Sequence, residues 1–132
     1  MDADTRAFVR LRAGNRCEYC LLRQEHVELP HHIEHIVAKQ HGGRDGPENL
    51  ALSCGRCNAF KGPNLSGIDP DSGQLVPLFN PRCHDWAEHF TLRTFWIVGM
   101  TPVGRATAYV LGMNETRRLE IRALLLAQGK LP

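Results

Sequence analysis

The chain has 132 residues, of which 42% are hydrophobic and 23% charged, with a formal net charge of +2. That length suits one domain with a modest core, and the composition excludes a disordered or fibrous chain. So small a charge gives no argument for a polyanionic partner. No apolar run approaches the ~18 residues of a membrane span, and the start MDADTRAFVR carries no secretory pattern. The expected setting is therefore cytoplasmic, or intracellular and phage-encoded, with no membrane partner.

In chain order, DADTRAFVRLRAG reads as a helix within residues 1–16. Asp2 or Asp4 caps it, Ala7, Phe8 and Leu11 form its apolar face, and Gly14 ends it. NRCEYC forms a tight knuckle. HVELPHHIEHIVA reads as one or two short strands with a break or edge at Pro30, and KQHGGRDGPE as a loop. NLALSC is a short strand. GRCNAFKG opens a short helix that Gly62 and Pro63 close. The stretch from about Pro63 to Pro81 is rich in turn residues and reads as irregular, and HFTLRTFWIVGMT suits a strand pair. GRATAYVLGMN and ETRRLEIRALLLAQG read as helices, the second with Leu119, Ile121, Leu124 and Leu125 inward. The expectation is a single α+β domain over 1–132, with a mixed strand and helix extension (63–132) packed on a core at 17–62.

The strongest local pattern is cysteine. Cys17-x-x-Cys20 and Cys54-x-x-Cys57 stand 33 residues apart, and each pair can give two sulfurs to one tetrahedral Zn²⁺. Disulfides within such pairs are strained, and a chain without a secretion signal keeps its thiols reduced. A structural zinc is expected. Cys83 has no matching partner and reads as a packing or exposed thiol.

With those pairs in place, IEHIVAKQHGG…ENLALSCGRCNAFKG resembles the HNH nuclease family, the ββα-metal finger. The elements are Glu34-His35, Gly42-Gly43, Asn49-Leu50, Cys54-x-x-Cys57-Asn58 and Lys61, and the resemblance covers about Cys17 to Lys61, close to one third of the chain. The fold class this implies is α+β: a zinc-stapled ββα finger with an N-terminal helix and a C-terminal extension. The FNPRCHDWAEHF and GRATAYVLGMN segments also look like the extension of a bacterial subgroup of these proteins.

The resemblance implies a metal-dependent endonuclease that cuts DNA to a 3′-hydroxyl and a 5′-phosphate. His35 would be the general base and Glu34 a hard ligand to a divalent cation. Asn58 would offer its amide oxygen to that cation, a Mg²⁺ or Mn²⁺, and Asn49 would brace the loop through backbone groups. Arg56 and Lys61 would meet phosphate. Glutamate at position 34 departs from the commoner aspartate or histidine and leaves metal preference open. Neighbouring residues of a strand point to opposite faces, so Glu34 and His35 can serve one site only if the strand ends or twists there. His32 could join the cation, contact phosphate or bond a neighbour. His31 and His41 read as solvent-facing, and Trp86, Phe90, Phe95 and Trp96 as core. A double-strand break would need a dimer or two successive cuts. The rival readings are a catalytically inactive zinc-stapled nucleic-acid-binding module and a thiol redox protein.

Overall fold

The computed structural model describes residues 1–131 and divides into two compact units. The first comprises Met1–Leu65 with Asn80–His84, and the second Ser66–Phe79 with Asp85–Pro132.

The first unit opens with helix α1 (Ala3–Arg12), capped by Asp2, whose Oδ1 accepts the Thr5 N–H at 2.8 Å. Gly14 and Asn15 end it with positive φ. Its buried row is Val9 with half-buried Thr5 and Ala13, spaced four apart on one face. The expected apolar face is corrected: Leu11 is 82% exposed, and Phe8 lies on the surface beneath the Arg12 guanidinium. Strands β1 (His32–His35) and β2 (Leu50–Ser53) pair antiparallel, His32 with Ser53 and His35 with Leu50. Val9, Leu50 and Leu52 form a small apolar cluster, with Ile33 and Ala13 against it. Helix α2 (Gly55–Lys61) follows immediately, with Cys54 as its cap.

In the second unit, the stretch expected to be irregular contains a hairpin of β3 (Ser66–Ile68) and β4 (Leu75–Pro77). Its turn is organised by Asp69, which takes a two-pronged ion pair from Arg105 and hydrogen bonds from Ser72 Oγ and the Asp71 N–H. Periodicity could not show this strand pair, because its buried side chains are few and its order comes from that carboxylate. Helix α3 (Trp86–His89) leads into the expected hairpin, β5 (Phe90–Arg93) and β6 (Trp96–Gly99).

Helix α4 (Pro102–Val110) is capped by Thr101. It crosses so close that a Cβ on Gly104 would lie 2.0 Å from the His89 carbonyl oxygen. Phe79, Phe90, Ile97, Leu111 and Met113 fill the core, with Trp86 stacked on Phe90. Trp96 is 47% exposed rather than core. Helix α5 (Thr116–Ala127) buries Arg118, Arg122 and Leu125, whereas Leu124 is 60% exposed and Ile121 lies outward. The expected leucine face is displaced because the β5–β6 turn and the Leu111–Asn114 turn present carbonyls. Arg118 donates to the oxygens of Leu111 and Gly112, and Arg122 to those of Phe95 and Met113. No helix among the described residues is long and apolar enough to cross a membrane.

Candidate metal centre and hairpin site

The two C-x-x-C pairs converge. All four Sγ atoms lie within 4.8 Å of one another, and Cys20 and Cys54, from different pairs, are 3.6 Å apart. A tetrahedron with Zn–S bonds of about 2.3 Å has edges near ~3.8 Å, so the sulfurs fit a zinc site. Each knuckle closes with a backbone N–H on the preceding sulfur, Cys20 to Cys17 and Cys57 to Cys54, both at 3.5 Å. Burial pushes the Cys17 and Cys57 thiols upward, an opposition that a bound cation reverses by deprotonating its sulfur ligands. None of the five cysteines is in a disulfide, and Cys83 is exposed.

The knuckle also organises the hairpin. Glu18 accepts the Leu52 N–H of β2 and pairs with Arg82, while its own N–H donates to the Leu52 carbonyl. Tyr19, fully buried, donates its hydroxyl to Glu34 of β1. Burial, and then the Glu34 charge, push the Tyr19 phenol well above its ordinary value, so it remains a donor. Residues 18 and 19 thus tie the metal site to both strands.

On β1 the ladder runs regularly through His35 and on to the Ile36 N–H, which meets the Asn49 carbonyl. Glu34 and His35 therefore leave opposite faces, and the interruption that would aim both at one point does not occur. Glu34 turns under α2 at 5% exposure, where Tyr19 holds Oε1 and the Lys61 ammonium lies 3.2 Å from Oε2. Burial raises the Glu34 carboxyl, opposed by the Lys61 charge and the Tyr19 bond. Lys61, expected to meet phosphate, runs inward to this carboxylate. Its side chain is 2% exposed, and its ammonium also donates to the Ile36 carbonyl at 2.9 Å.

His35 is on the other face, its side chain 22% exposed, with Nε2 2.7 Å from Asp45 Oδ1. Asn49 bonds backbone only. Its Oδ1 accepts the Val37 N–H, and its Nδ2 donates to the carbonyls of Val37 and Arg44. Asn58 is half-buried, three residues before Lys61 and so on the same side of α2. Arg56 is exposed in the first turn of α2, and His32 is exposed with its ring beside Gly55. His31, expected in solvent, is instead 2% exposed and bonded to the Leu22 carbonyl, with its own carbonyl held by Arg10.

Among the described residues, the four cysteines form the one group of three or more His, Cys, Asp or Glu side chains able to share a metal. A hard cation such as Mg²⁺ needs few protein ligands. Even so, Glu34 offers it no open oxygen while Lys61 stays in place. Sequence reasoning missed three contributors: Tyr19, Asp45 and the inward course of Lys61. Only Tyr19 carried a signal, an aromatic fixed between two metal-binding cysteines.

Residues 17–64 match the family model described as HNH endonuclease. The chain is also 27% identical over 116 residues to the Septu protein PtuB of Bacillus thuringiensis. That alignment covers 86% of this chain and 42% of the relative, so the chain spans less than half of that protein. No solved structure gives a significant match.

Proposed function

We propose that this chain, whose residues 17–64 carry the HNH endonuclease domain, is a metal-dependent endonuclease that hydrolyses DNA phosphodiester bonds. The observation that supports this most is the placement of His35. It stands at the end of a zinc-stapled strand, part exposed, its ring already held through one nitrogen. His35 takes a proton from water as the water oxygen bonds to phosphorus and the P–O3′ bond breaks. The released O3′ takes a solvent proton, leaving a 3′-hydroxyl and a 5′-phosphate. A positioned base contributes about 10²- to 10⁴-fold to such a step.

The finer part of the proposal concerns the cation and the substrate contacts. Glu34 and Asn58 would hold a Mg²⁺ or Mn²⁺ that would supply charge stabilisation for the leaving oxygen, which requires Glu34 to leave Lys61 and the face opposite His35. Because Lys61 neutralises Glu34, such binding competes with the Lys61 ammonium. Arg56 and His32, both exposed, are the phosphate contacts, and Asn49 acts as a brace.

The closed Glu34–Lys61 pair also favours a second reading, a zinc-stapled module that binds nucleic acid without cutting it. A plasmid assay with zinc-loaded protein, with Mg²⁺, with Mn²⁺ or with EDTA, separates the two. The nuclease reading expects nicked or linear DNA with added cation and about 10²- to 10⁴-fold slower cutting with His35→Ala. Nicking by His35→Ala at the wild-type rate would remove His35 as the base. Shifted but uncut plasmid in every condition would establish the binding module.

A further inference from the structure

Asp45 takes no chemical step in the scheme above, yet the loop brings it to His35. Beyond β1 the chain makes a 3₁₀ turn at Lys39–His41 and then doubles back. Gly43 donates its N–H to the Ala38 carbonyl, and a Cβ there would lie 1.7 Å from the Val37 oxygen, so only glycine permits the return. Asn49 then grips both arms of the loop at once, Val37 on one side and the Arg44 carbonyl on the other. The residue after Arg44 is Asp45, and its Oδ1 meets His35 Nε2 at 2.7 Å. Lys39, from the outgoing arm, pins the same oxygen at 3.2 Å.

We propose that Asp45 is the positioning residue for His35. It accepts the Nε2 proton, fixes the ring and its tautomer, and leaves Nδ1 with the lone pair that takes the proton from water. Asn49 acts through it, because the bond to the Arg44 carbonyl sets where Asp45 stands. A carboxylate is an acceptor without a proton to give, so a neutral imidazole bonded to it carries its proton on Nε2. The same partner stabilises the imidazolium once the proton arrives. The inference rests on the nuclease reading for its consequence, but the ring geometry can be tested without any substrate.

The test uses full-length, zinc-loaded protein labelled with ¹⁵N-histidine, at an alkaline pH where an ordinary imidazole is neutral. The His35 signals are identified by their loss in His35→Gln. In the wild type, His35 should show a protonated Nε2 and an unprotonated Nδ1. In Asp45→Ala, the two nitrogen shifts should move towards each other as the tautomers interconvert. The same variant should lose about ten- to a hundredfold in kcat, with KM unchanged. Asp45→Asn keeps an acceptor oxygen and should recover much of both signals. Because Asp45 is half exposed, these variants are expected to keep their fold and zinc. Unchanged ring nitrogens in Asp45→Ala would overturn the proposal, and so would a loss of cleavage with no change in the ring. If the wild type cuts nothing under any cation, the nuclease reading fails, while the tautomer result still decides what Asp45 does.

Discussion

The two units of this chain are similar in size but held together by different means. In the first, three residues, Val9, Leu50 and Leu52, make the apolar cluster. The strands are short, and the zinc knuckle reaches both through Glu18 and Tyr19. In the second, aromatic and aliphatic side chains around Phe79, Phe90, Ile97 and Met113 close a core, and buried arginines satisfy its turns. A short hairpin with so little apolar area cannot hold itself. In the first unit, then, a cysteine cluster arranged for a zinc site stands beside a small apolar cluster. That arrangement leaves polar residues such as Glu34, His35 and Asn58 free to sit where a larger core would demand hydrocarbon.

The sharpest way to break this comparison is to take the metal away. Zinc binding in small domains carries about 10–16 kcal/mol of apparent free energy, more than such a unit's own packing supplies. Chelation, or Cys57→Ser, should let amides of residues 17–62 exchange freely by hydrogen–deuterium mass spectrometry while the β5, β6 and α4 amides stay protected. Loss of both units together would remove the distinction.

Next in size is the buried ion pair. Lys61→Met leaves the Glu34 carboxylate buried beside Tyr19 with no counter-charge, and should cost about 3–5 kcal/mol in urea unfolding of the zinc-loaded protein. Tyr19→Phe, which removes one of the two partners, should cost about 1–3 kcal/mol. If Lys61→Met is neutral, Glu34 is open to solvent, and a cation has an unobstructed carboxylate.

In the second unit, Arg122→Ala strands the Phe95 and Met113 carbonyls and should cost about 1–3 kcal/mol without changing zinc content. The smallest effect is one of pH. The Arg105 guanidinium holds the Asp69 carboxyl well below the usual carboxylate range. Its contribution is therefore complete above about pH 4, the ordinary aspartate value, and fades as the pH falls towards the lower folded value. Thermal melts should show a decline on acidification that Asp69→Asn flattens. An unchanged slope would mean that other carboxylates carry it.

Much of the first unit was legible because its signals are local. Cysteine spacing, turn glycines and strand alternation each act over a few residues, and the strands, helix α2 and sulfur cluster lie where those signals put them. What escaped was direction. The sequence places Lys61 at a helix end and cannot say that its stem runs inward to Glu34. His31 and His35 look alike in PHHIEHI, yet one is buried on the Leu22 carbonyl and the other stands at the rim. In the second unit, the inner face of α5 was misassigned because carbonyl-rich turns called for arginine where periodicity favoured leucine.

The central claim is that the zinc-held hairpin presents His35 as the base of a phosphodiester hydrolase. Its most direct test is the single-turnover cleavage rate of a labelled DNA duplex by wild-type and His35→Ala protein, each verified to hold one zinc per chain. The account predicts cleavage by the wild type with Mg²⁺ or Mn²⁺, ends bearing 3′-hydroxyl and 5′-phosphate, and a rate about 10²- to 10⁴-fold lower in the variant. Equal rates from the two proteins, or an inert wild type that still binds the duplex, would contradict it.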